Sequence, residues 1–142
     1  MKKSATLIII VAASFFCACN NEKAEEKVLL NEVISIHDMV MAKEDHLMQN
    51  KMRLDTLLMP GKVDTTHTIV DKATMGAFRS KLISADEAME AWMQKFDPEQ
   101  KGKSQDEKMQ YFVDQKKIVL AIDSQFTTTI EATDKYLKGL KK

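Results

Sequence analysis

The chain has 142 residues, with 21 basic and 21 acidic side chains, four glycines, two prolines and two cysteines. Balanced charge without a basic stripe argues against a nucleic-acid partner, and so few breakers favour long helices over many short elements. Both cysteines fall within the first 19 residues, so the rest of the chain has no internal disulfide and must be stabilised by packing.

Lys2 and Lys3 precede an apolar run from Leu7 to Phe16, followed by Cys17-Ala18-Cys19. This is the layout of a bacterial export signal. The run is shorter than the roughly 20 apolar residues a membrane-spanning helix needs. Ala18 directly before Cys19 resembles a lipobox, with a non-standard Phe16 three residues back. The expectation is cleavage after residue 18 and acylation, palmitate included, at Cys19. Cys17 follows the bulky Phe16 and is the second choice. A plain secretion signal or a buried apolar strand is the alternative for this stretch. Removing residues 1–18 would take away Lys2 and Lys3 and leave one small, slightly acidic domain. Residues 19–27 then read as a lipidated Cys and a polar tether that merges into the first helix. Acidic residues at this position resemble surface-export signals of Bacteroidota lipoproteins, although a solvated linker is the plainer reading.

Helix 1 is predicted over about 28–58. Leu29, Leu30, Val33, Ile34, Ile36, Val40, Met41, Leu47, Met48, Leu54 and Leu58 gather on one broad side at about 100° per residue. Pro60-Gly61 stops it. Helix 2 is predicted over 66–96, with a stripe of Met75, Phe78, Leu82, Ala85, Met89, Trp92, Met93 and Phe96. Before Gly76 the apolar residues change side, which predicts a second neighbour, a kink or fraying there. Asp97-Pro98 ends the helix. Helix 3 is predicted over 105–140. Ser104 and Glu107 have capping-box spacing, and Met109, Phe112, Val119, Ile122, Phe126, Ile130, Leu137 and Leu140 repeat at helical intervals. Three helices of about 30 residues, each about 45 Å long, joined by short breaks, predict an all-α, up-down-up antiparallel three-helix bundle.

Ile36-His37-Asp38-Met39-Val40-Met41, Ala85 to Met93 and Tyr111 with Gln115-Lys116-Lys117 resemble a family of small Bacteroidota lipoproteins. These carry the label "viral A-type inclusion protein", which reflects coiled-coil-like helices and no viral role. The resemblance implies a helical lipoprotein and supplies no catalytic residues. Where that family has an apolar residue this chain has Glu44, so packing there should differ.

No enzyme signature is present: no Gly-rich phosphate loop, no G-x-S-x-G, no H-E-x-x-H, and no Glu-x-x-His of di-iron bundles. Asp64-Thr65-Thr66-His67 sits at a helix entrance, where Asp64 reads as a cap. The expected protein is therefore non-enzymatic and without a cofactor. It would be a membrane-anchored envelope lipoprotein, on the periplasmic side or at the cell surface, acting as an interaction or structural module for an envelope protein.

Methionine is the compositional oddity, with ten in the chain. Most lie in the apolar stripes, where Met fills irregular gaps. The alternative is a periplasmic copper or haem binder using His37, Met41 and Met48 on one side of helix 1. Trp92 reads as a core anchor, its alternative being an exposed hot spot. Finally, His37, Glu44, Lys51 and Asp55 form a polar line near the middle of the apolar side of helix 1. They could pair internally, snorkel past the seam, or mark a partly uncovered partner groove; the groove is the reading adopted.

Overall fold

A computed structural model describes residues 6–60 and 69–140, with side chains over 22–60 and 71–140. Among the described residues three helices follow one another: α1 (Thr6–Leu58), α2 (Ile69–Lys95) and α3 (Gln105–Gly139). They pack on one another as a three-helix bundle.

Cross-helix contacts give the direction of each helix. Glu26 meets Lys108, Glu32 meets Lys116, Lys43 meets Asp123 and Asn50 meets Asp134, so both numbers rise together and α1 runs parallel to α3. His37 meets Met93 and Asp55 meets Arg79, so α2 runs antiparallel to α1. Trp92 with Gln115 and Phe78 with Tyr136 make α2 antiparallel to α3 as well. The topology is up-down-up. The α1–α3 seam is the most extensive of the three.

The core follows a seven-residue repeat, the spacing that keeps one seam of a helix facing its partners. On α2 the positions are Met75, Phe78, Leu82, Ala85, Met89 and Trp92, continued by Phe96 just past its end, all but Phe78 and Phe96 buried. On α1 the buried residues are Val33, Ile36, Val40, Leu47, Asn50 and Leu54. Two positions in that α1 series are polar. Asn50 is 1% exposed and donates to Asp134 Oδ1 at 2.7 Å. Lys43 is half-buried and reaches Asp123 Oδ1 at 2.6 Å and Thr127 Oγ1 at 2.8 Å. Each polar group at the seam has found a partner on α3, as burial requires.

α1 begins well before Val28, so the tether expected over 19–27 is not a separate linker where side chains are described. The Glu22 carbonyl accepts from Gln105 Nε2, and Glu26 contacts both Gln105 and Lys108. The reason is local and tertiary together. Glu, Lys and Ala are good helix formers, no Pro or Gly interrupts them, and the first turn of α3 offers them partners.

α2 passes through Gly76 without a break. Met75 is buried on one side of it, and Phe78 stacks on Tyr136 with ring centroids 4.9 Å apart. The expected helix start at Thr66, and Asp64, His67 and Gly61, lie outside the described residues. α2 ends at Lys95. The Asp97 carboxylate then accepts from the Glu99 backbone N–H, and the Asp97 N–H donates to Tyr111 Oη. Gln100 and Gly102 take positive φ (44° and 77°) to turn the chain into α3. There Ser104 and Glu107 form the reciprocal capping box.

Candidate recognition groove

The polar line on α1 does not lie at the centre of the core. The true seam is set by Val33, Val40, Leu47 and Leu54 with Ile36, Lys43 and Asn50. His37, Glu44 and Lys51 stand one position beyond the latter set, Asp55 stands one beyond Leu54, and all four are partly buried. This rotation turns them toward α2.

The four residues do not share one open groove. Lys51 and Asp55 are closed by charge. Lys51 Nζ pairs with Asp55 Oδ2 at 3.1 Å, and Arg79 of α2 donates through Nε to the other carboxylate oxygen. The Arg79 hydrogen bond, aided by Lys51 and opposed by burial, holds the Asp55 carboxyl below its ordinary range. Internal pairing is thus the outcome at this end of the line.

His37 and Glu44 open onto two adjoining depressions between α1 and α2. The first, about 300 Å³, is lined by Ile34, His37, Asp38, Trp92, Met93 and Phe96. The second, about 170 Å³, lies under Glu44, Asp86 and Glu90, with Met41, Met89, Met93 and Phe126 as its apolar lining. Met93 lines both. It was expected inside the α2 stripe, yet it is 41% exposed. It follows Trp92 by one residue, about 100° around the helix, which carries it out of the seam that Trp92 occupies. Ile34, also expected in a core stripe, is exposed on the rim.

Trp92 is the anchor the spacing suggests. It is 7% exposed, its Nε1 donates to Gln115 Oε1 at 2.8 Å, and its ring stacks on Phe96 at 4.7 Å. His37 covers it from α1 at 5.8 Å between centroids. His37 Nδ1 contacts Asp38 Oδ1 at 3.0 Å, and Nε2 faces Met93 Sδ at 3.3 Å.

The sequence reading missed Asp86, Glu90 and Met93 as partners of the α1 line. An antiparallel register counted from the Pro60 end would have brought them opposite Glu44 and His37. Among the described residues, Glu44, Asp86 and Glu90 make no ion pair, so the second depression keeps its negative charge. Met48 does not join His37. The two are 11 positions apart on one continuous helix, about 16 Å along its axis. Among the described residues no group of three His, Cys, Asp or Glu side chains could hold a metal ion. The side chains of Cys17 and Cys19 lie outside the described residues. No helix among the described residues is long and apolar enough to cross a membrane.

No family model, characterised protein or solved structure matches the chain.

Proposed function

We propose that this protein is a lipid-anchored envelope lipoprotein of the kind its sequence resembles, acting as a non-enzymatic interaction module. Lys2, Lys3, the Leu7–Phe16 run and Ala18-Cys19 support export and acylation at Cys19. Attachment then rests on acyl chains, several of which are needed for stable anchoring. The observation that carries the interaction reading is the α1–α2 groove, apolar around Ile34, Met93 and Phe96 and acidic at Glu44, Asp86 and Glu90.

Charge complementarity selects the occupant: a basic amphipathic segment of an envelope protein, with apolar anchors in the first depression and Lys or Arg at the second. Such a segment neutralises carboxylates that the bundle leaves uncompensated. The test has two arms. Cys19→Ala should lose fatty-acid label and membrane association; labelling that survives in this variant but not in Cys17→Ala assigns the other cysteine. For the groove, a photo-crosslinker at position 34 should trap a basic partner in intact cells, and one at position 120, on exposed α3 surface, should not. Glu44→Leu should abolish the first adduct. Equal adducts from positions 34 and 120, or an adduct indifferent to Glu44→Leu, would refute the groove.

A further inference from the structure

The His37–Met93 contact carries a chemical meaning independent of partner docking. Asp38 Oδ1 lies 3.0 Å from His37 Nδ1. A carboxylate only accepts, so the tautomer that matches this contact carries its hydrogen on Nδ1 and presents the Nε2 lone pair to Met93. That lone pair faces Met93 Sδ at 3.3 Å. In that tautomer an imidazole nitrogen and a soft thioether sulfur face each other as two acceptors. A carboxylate fixing one imidazole nitrogen while the other is free to ligate is the usual second-shell arrangement at metal-binding histidines.

We propose that His37 Nε2 and Met93 Sδ, joined by the Met41 thioether, bind a soft monovalent ion, the cuprous ion above all. Imidazole with thioether is a donor set that favours Cu(I) over hard cations. With bonds as long as zinc makes to imidazole and to sulfur, about 2.0 and 2.3 Å, the 3.3 Å separation would correspond to an angle of roughly 100° at an ion held between them. Met41 follows His37 by one helical turn, the spacing that puts two side chains on one face, and it lines the same depression as Met93. Met93 is exposed, while His37 and Met41 are partly buried, so the site opens to solvent at the Met93 sulfur. Glu44, Asp86 and Glu90 beside them add negative potential that favours a cation. Met48, too far along α1, is not a ligand.

The chain has one tryptophan, and its ring lies 5.8 Å from the His37 ring, so Trp92 fluorescence reports the site. The experiment uses the full chain in detergent with Cys17→Ser and Cys19→Ser, which removes thiols that would otherwise capture copper. Cuprous ion is titrated under ascorbate against a chromogenic Cu(I) chelator, and silver ion is added in parallel. We expect saturation at one equivalent with Trp92 quenched in step. Met93→Leu and His37→Phe should each weaken binding by roughly tenfold or more, and Asp38→Ala by roughly tenfold, with unchanged melting curves. Met52→Leu, an exposed thioether elsewhere on α1, should change nothing. Equal losses for Met52→Leu and Met93→Leu, or no saturable binding by the parent chain, would overturn the site. Either failure leaves the crosslinking test of the groove unaffected.

Discussion

Asn50 and Trp92 are polar-tipped residues within an apolar seam, and each is tolerable because α3 supplies one matched partner. Asn50→Ala leaves the Asp134 carboxylate without its 2.7 Å donor, and the bundle should lose about 1–3 kcal/mol, read from urea unfolding. Replacing Asn50 and Asp134 together by Leu should recover that loss, since apolar pairs often outperform buried polar ones. A single buried Asn commonly fixes register in helical bundles, so the double variant should show a broader range of oligomeric states in sedimentation. Trp92→Ala removes a buried ring stacked on Phe96 and covered by the tilted His37 ring; about 3–5 kcal/mol is expected, and a loss under about 1 kcal/mol would place the ring outside the core. Burial of Trp92 was legible from its spacing with Met89 and Phe96. The Gln115 acceptor was not, because spacing along one helix carries no information about the neighbour opposite.

At the scale of elements, α2 and α3 offer two clean tests. A Cβ built on Gly76 meets nothing within 4 Å, and the residue lies inside a continuous helix. Gly76→Ala should therefore stabilise the bundle by about 0.5–1 kcal/mol, seen as a higher melting temperature. A kinked or frayed α2 at this point would give no gain. Ser104→Ala removes the acceptor for the Glu107 N–H at 3.3 Å and should cost about 1 kcal/mol, measurable in the same melts. The capping box was readable directly, since its chemistry is confined to four consecutive residues. The upstream extension of α1 through Glu22–Lys27 was not: a charged stretch without apolar period has no inward face of its own, and its helix is held by Gln105 and Lys108 on another element.

For the molecule as a whole, acid should act through carboxylates on two different seams. Asp134 is opposed by burial, but hydrogen bonds from Asn50 and His46 outweigh it and lower its pKa. Asp55 is lowered chiefly by Arg79. A folded pKa below the unfolded value near 3.9 means the folded state binds the proton more weakly. The stabilisation is then fully present above that value and is lost as pH falls through the lower folded value. Melting temperature should drop below about pH 4, and a variant carrying Asp55→Asn and Asp134→Asn should drop less steeply there. Glu44→Leu works in the opposite sense, removing an unpaired carboxylate from an apolar rim. It should stabilise the chain by about 1 kcal/mol while removing the crosslink at position 34. A destabilised variant would mean that Glu44 is satisfied inside the fold and that the groove reading fails.

The sequence by itself determined the fold class, the number of helices, the breaks at Pro60 and at Asp97-Pro98, and most of the core, because apolar periodicity and end signals are properties of single helices. Tertiary structure alone decided which way the polar line of α1 faces. A helix with so broad an apolar side can be centred on either of two adjacent sets of positions, about 100° apart. Choosing between Asn50 with Lys43 and Lys51 with Glu44 depends on which set finds partners. Asp134, Asp123 and Thr127 on the parallel α3 satisfy Asn50 and Lys43. That match turns His37 and Glu44 toward α2, where Met93 and the unneutralised carboxylates Asp86 and Glu90 await them.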